Sequence, residues 1–338
     1  MRAAVFNQVG KPWTVEVLPD PVPLAGEAII RVGRCGICGS DLSMSAGKGP
    51  PIPCGTVLGH EYAGEVVALA PGESFLKLGD RVTALPAVGC GDCLMCRQGE
   101  PVLCARLVPY MGGFAEYMRI PVRTAVKLPD SVTMADGALV EPLAVGLHAV
   151  RMVALTPGAR VLVLGAGAVG LATIFWARRS LAGRIVAMSR SRHRAALAET
   201  MGADQFVASG EGEAERTTEA LGGPPDVVFE CGGAPGMLSQ AIGLVRTNGT
   251  VVSLGACSAP EPLVGAVCLI KQVKLLFSMA YSVEEFQFAA ERLGTANFQV
   301  AAMVTSAVSL NDLPAQIVAM TNGGADGKVQ LDPRLSRT

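Results

Sequence analysis

Val161-Leu162-Val163-Leu164-Gly165-Ala166-Gly167-Ala168-Val169-Gly170 is a short apolar run that ends in closely spaced glycines. Four consecutive apolar residues suit a strand buried on both faces, and the residues after Gly170, through Arg178, suit a helix. Between strand and helix, Gly165, Gly167 and Gly170 have the spacing of a dinucleotide-binding turn, with Val169 inside it. The glycines permit a tight bend and close backbone approach to a pyrophosphate, whose charge the helix N-terminus favours. Alone this motif is weak. The chain around it repeats the alternation, with strands expected at 185–188, 226–230, 250–254 and 275–279 and helices at 193–201, 237–245 and 283–293. That pattern predicts an α/β, doubly wound parallel sheet. The stretch from Val161 to Ala177 lacks charges and nears membrane-spanning length, but its glycines divide it, so no membrane span is expected.

The end of the second strand bears on which dinucleotide is bound. Ala187-Met188-Ser189-Arg190-Ser191-Arg192-His193-Arg194 contains no acid to hold a ribose 2′-hydroxyl. Ser189, Arg190 and Arg194 instead offer a hydroxyl and guanidinium groups, which suit a 2′-phosphate. A solvated basic helix start is the alternative, although cations there oppose the helix dipole. NADP(H) is expected over NAD(H).

Upstream, residues 1 to about 125 read as all-β, with short strands at 28–32, 64–69 and 81–85 between Pro/Gly punctuation such as Pro50-Pro51-Ile52-Pro53. Loops of this scaffold carry Cys35-Gly36-Ile37-Cys38-Gly39-Ser40-Asp41 and Gly59-His60-Glu61. Cysteine with histidine favours zinc, and a sparse ligand set suits a catalytic ion with an open position; a buried cysteine and a core histidine are the bland alternative. Cys90, Cys93, Cys96 and Cys104 have the spacing of a four-thiolate structural zinc lobe, whose ion would supply folding energy. A disulfide knot needs an oxidising compartment and fits so tight a triplet poorly. Helical periodicity over 136–152 is interrupted at Glu141-Pro142-Leu143. Glu141, a carboxylate in apolar surroundings, either starts a helix or faces the metal.

A chain of 338 residues suggests two domains. We expect residues 1–150, completed by 281–338, and residues 151–280, with 327–331 as a strand that rejoins the first and Asn322-Gly323-Gly324 as a turn. Net charge −1 and 17% charged residues argue against nucleic-acid binding. Ten cysteines and an N-terminus that runs directly into a strand pattern point to metal binding in a reducing compartment, with cytoplasm the default.

In family order, the Gly-Ile-Cys-Gly-Ser-Asp stretch, Gly-His-Glu, the cysteine lobe, Glu-Pro-Leu and the glycine turn resemble the zinc-dependent medium-chain alcohol dehydrogenases, especially their polyol, butanediol and threonine dehydrogenase branch. The resemblance covers essentially the whole chain. It implies a mainly β GroES-like catalytic domain, Cys38 and His60 as catalytic zinc ligands and Glu141 as the third group. Glu61 would approach the metal as water exchanges, Asp41 would orient His60, and Cys35 would not ligate. It further implies Lewis-acid activation of an alcohol by zinc, with Ser40 accepting the proton and hydride passing to the nicotinamide. The histidine that completes a proton relay in many relatives is replaced by Ser43. Met44 stands where polyol enzymes carry bulky aromatics, and we expect a secondary alcohol or ketone, linear or cyclic, over a sugar polyol. The alternatives are an NAD-dependent polyol, 2,3-butanediol or threonine-type dehydrogenase, a zinc-free quinone reductase, which would lack both cysteine groups, and a metal-lobe binding protein without catalysis. The family pairs as homodimers or homotetramers.

Overall fold

The computed structural model describes residues 1–49, 51–295, 300–323 and 327–335; Pro50 and Gly324 of the expected turns lie outside them. The chain divides into two units, Met1–Glu141 with Ser282–Thr338, and Pro142–Tyr281.

The first unit is built on β1 (Glu27–Gly36), whose residues are buried along most of its length. It lies in a seven-stranded sheet with β2 (Glu61–Leu69) and β3 (Arg81–Ala84), while β4 (Tyr117–Pro121) also pairs with β1. The metal stretch is not all loop, as the sequence suggested. Gly39–Ser45 forms a short helix, α1. The Cys38 backbone N–H donates to Asp41 Oδ2 at 2.9 Å, which satisfies a donor at the helix start and lets a Gly-Ser-Asp sequence turn helical. The second expected break also shifts. Helix α2 (Val140–Arg151) carries Pro142 within its first turn, where a missing N–H costs little, and the interruption falls at Ala138-Leu139.

In the second unit six parallel strands run in the order β7-β6-β5-β8-β9-β10. They are β5 (Arg160–Leu164), β6 (Arg184–Ser189), β7 (Gln205–Ala208), β8 (Val227–Glu230), β9 (Thr250–Ser253) and β10 (Lys274–Phe277). Helix α3 (Ala168–Arg179) follows the glycine turn and α4 (Met237–Leu244) lies between β8 and β9. Leu162, Leu164, Val186, Val228 and Val251 form its core from the strand interiors. Strand β7 and the helix Glu213–Leu221 escaped the sequence reading; β7 is four residues long and buries only Val207.

The chain then returns. Strand β12 (Lys328–Leu331) lies parallel to β11 (Val304–Val308) and antiparallel to β1, pairing Gln330 with Gly36 and Leu331 with Cys35. The C-terminal segment thereby reaches the metal stretch.

Candidate active site

Cys38 immediately precedes α1, and His60 and Glu61 sit at the start of β2, paired with the end of β1 through Gly36 and Glu61. These elements bring one ligand atom each from Cys38, His60 and Glu61 within 4.8 Å of one another. Asp41 is fully buried, with Oδ1 3.4 Å from His60 Nδ1, an ion-pair approach that is too poorly aligned to be a hydrogen bond. This contact occupies the Nδ1 side of the ring. Burial opposes a charged imidazole at His60, but the Asp41 carboxylate and Cys38 sulfur outweigh it and hold the pKa well above its ordinary value. The cluster is electrostatically built for a cation. Glu61 Oε2 is buried without a hydrogen-bond partner among the described residues, and a Cβ on Gly36 would come within 2.0 Å of it. A soft thiolate, an imidazole and an orphaned carboxylate oxygen fit zinc.

Glu61 Oε1 accepts from Lys328 Nζ at 2.6 Å, and the ammonium also donates to Ile37 O at 3.1 Å. Both partners are nearly inaccessible, at 3% and 1% side-chain exposure. Burial opposes the Lys328 charge, but Glu61 and Cys38 hold its pKa above the ordinary value, with Glu141 contributing less. The sequence reading missed Lys328; a lysine opening a strand that rejoins the first domain was the available signal. Glu141 itself is not among the three clustered ligand groups. Ser40 is exposed in the first turn of α1, and Met44 is half-buried against the first unit's core beside Gly49.

Cys90, Cys93, Cys96 and Cys104 also present their sulfurs within 4.8 Å of one another. The backbone N–H of Cys90 helps draw Cys104 down to about 6. Cys96 is pushed up to about 11: a Gly91 backbone bond lowers it, and burial with the neighbouring thiols more than offsets this. Four crowded thiols cannot all ionise without a cation among them. The set fits a closed structural zinc.

In the second unit a cavity of about 520 Å³ is lined by Gly165, Gly167, Ser189, Arg190, Arg194 and Ser209, among others. Gly165 has φ +96°, and a Cβ on Gly170 would lie 1.8 Å from Gly165 O, so neither position admits a side chain. Arg194 Nη1 approaches to 3.8 Å of where a Gly167 Cβ would sit, which brings that guanidinium to the glycine turn. Val169 and Gly170, in the first turn of α3, are not among the lining residues. No carboxylate lines the cavity among the described residues. Ser209, which donates its N–H to Ser189 O at 3.0 Å, is a further polar group that the sequence reading missed with β7.

Residues 24–130 match the alcohol dehydrogenase GroES-like domain and residues 168–295 the zinc-binding dehydrogenase domain. The chain belongs to the zinc-dependent medium-chain alcohol dehydrogenases. It is similar to the sorbitol dehydrogenase of Bacillus subtilis (32% identity, covering 77% of this chain and 76% of that one). It is also similar to L-galactonate-5-dehydrogenase of Escherichia coli (33% identity, 70% of each). Among solved structures, a Sinorhizobium meliloti protein described as a zinc-binding dehydrogenase bound to NADP superposes with TM-score 0.88 at 30% identity, over 98% of this chain and 99% of that one. The 2R,3R-butanediol dehydrogenase of Bacillus subtilis gives TM-score 0.88 at 29% identity over the same shares. This oxidoreductase family thus accounts for the parallel sheet, the GroES-like unit and both clusters of candidate metal ligands. No described helix is long and apolar enough to cross a membrane.

Proposed function

We propose that this alcohol dehydrogenase uses NADP(H) and acts on a secondary alcohol or its ketone, linear or cyclic, with two zinc ions per chain. The observation that carries the cofactor assignment is the cavity that Ser189, Arg190 and Arg194 line together with the glycine turn, with no carboxylate in its lining among the described residues. A 2′-phosphate is a dianion that such a wall complements, whereas a 2′-hydroxyl would lack its usual acidic partner. The NADP in the Sinorhizobium meliloti structure supports this reading.

Cys38 and His60, with a carboxylate from Glu61 or Glu141, would hold the catalytic ion, and Cys90, Cys93, Cys96 and Cys104 the structural one. The catalytic zinc supplies Lewis-acid polarisation of the substrate oxygen, and the nicotinamide supplies the hydride acceptor. Asp41 fixes the His60 ring. The Ser40 hydroxyl, exposed on α1, takes the substrate proton towards solvent; Ser43 cannot relay it as a histidine would, so water or the cofactor ribose continues the path. Met44 leaves an apolar, adaptable wall. The unpaired edge of β10, with Phe277 67% exposed and Leu269 and Ile270 exposed on the preceding helix, supports a homodimer, alone or doubled into a tetramer. All ten cysteines are free, which supports a reducing compartment such as the cytoplasm.

An NAD-dependent polyol dehydrogenase is the second reading, favoured by the sorbitol and L-galactonate relatives. Reduced-nicotinamide absorbance over polyols, vicinal diols and linear and cyclic secondary alcohols, with and without a chelator, tests the two. We expect chelator-sensitive turnover of apolar secondary alcohols; activity confined to polyols would overturn the substrate assignment.

A further inference from the structure

Glu230 ends β8 and is 2% exposed, yet all its hydrogen-bond partners are neutral. Oε1 accepts from the N–H groups of Gly232 and Gly233, each at 2.7 Å, and Oε2 from Ser253 Oγ at 3.2 Å. No ion pair forms with it among the described residues. A buried carboxylate without a counter-ion is expensive to keep. Those three hydrogen bonds hold it in place, and Gly255 packs so closely that a Cβ there would lie 2.6 Å from Oε2 and 2.2 Å from Gly233 N.

The sheet order says what this charge faces. The glycine turn follows β5, and Ser189 and Arg190 stand at the end of β6, on one side of it. A dinucleotide whose pyrophosphate sits at the turn and whose 2′-phosphate lies over β6 must extend its other half across β8 and β9. Glu230 and Ser253 are the last residues of those two strands, and both line a second cavity of about 400 Å³. A nicotinamide ring placed there would carry a positive charge when oxidised and none when reduced.

We infer that Glu230 selects the redox state of the cofactor: its fixed charge stabilises the oxidised nicotinamide relative to the reduced one. The inference rests on the dinucleotide reading above. Glu230→Gln isolates the charge, because the amide oxygen still accepts both glycine N–H groups and its NH₂ donates to Ser253 Oγ. Dissociation constants for NADP⁺ by calorimetry and for NADPH by fluorescence, on the zinc-loaded protein, give the readout. E230Q should weaken NADP⁺ about tenfold and NADPH less than about twofold, the scale of one partly screened charge. Ser253→Ala, which removes one hydrogen bond and keeps the charge, should leave the ratio at the parent's value. Equal weakening of both forms in E230Q, unchanged binding of both, or the same ratio shift in S253A overturns the inference. A parent that binds neither dinucleotide overturns the underlying cofactor reading and this inference with it, a failure visible before any variant is made.

Discussion

Replacing Lys328 by Met is the sharpest structural perturbation of the candidate zinc site that leaves α1 and the ring of His60 untouched. Met keeps most of the aliphatic stem packed but removes the ammonium that bonds Glu61 Oε1 at 2.6 Å and Ile37 O at 3.1 Å. Removing one partner of a buried ion pair costs about 3–5 kcal/mol, because the other charge stays buried and uncompensated. The orphaned Ile37 carbonyl adds to that cost. With a urea dependence of about 3 kcal/mol per molar, the unfolding midpoint should fall by about 1–1.7 M. Fluorescence of Trp13, in the core of the same unit, follows the transition. Glu61→Gln with Lys328→Met removes both charges and should recover part of the loss. A K328M midpoint within about 0.3 M of the parent, or a double variant no more stable than K328M, would refute the burial argument.

Three further expectations follow from the same geometry. Cys96→Ser should lower zinc content by one ion per chain and reduce thermal stability, as measured by elemental analysis and calorimetry; full zinc retention would contradict the four-thiolate assignment. Cys38→Ser should lose the other ion while the lobe keeps its own, and a protein that loses both would show that the sites are not independent. Burial raises the Asp226 pKa, but bonds from Arg160 and Arg246 more than offset it and hold it at about 2. A folded pKa below the unfolded value of about 3.9 stabilises the protein above that pH, and the stabilisation is lost as pH falls towards 2. Asp226→Asn should therefore cost about 1–2 kcal/mol at neutral pH after allowing for solvent screening, and the cost should shrink at pH 2; a pH-independent difference in melting temperature would contradict this.

What the sequence revealed was what local chemistry dictates. The turn Gly165–Gly170 was readable because strand, glycines and helix are contiguous, and the cysteine lobe because its four ligands fall within one short stretch. Helix α1 was missed because its start is satisfied by Asp41, a contact that only the folded turn completes. Lys328 was missed for a different reason: its partner Glu61 is 267 positions away and meets it only when the last strand returns to β1. Ser209 was lost with β7, a strand too short and too little buried to leave a periodic signal. Glu61 lies close to Cys38 and His60 in space, whereas the family resemblance implies Glu141 as the third group and Glu61 as one that approaches when water exchanges.

We propose that Ser189, Arg190 and Arg194 read a 2′-phosphate beyond the end of β6. The ratio of kcat/KM for NADP over NAD, measured with one secondary alcohol on the parent and on Arg190→Ala, tests it most directly. We expect a parent preference for NADP of about tenfold or more that falls towards unity in R190A, mainly through KM for NADP. A parent that prefers NAD, or a preference for NADP that survives R190A unchanged, would contradict it.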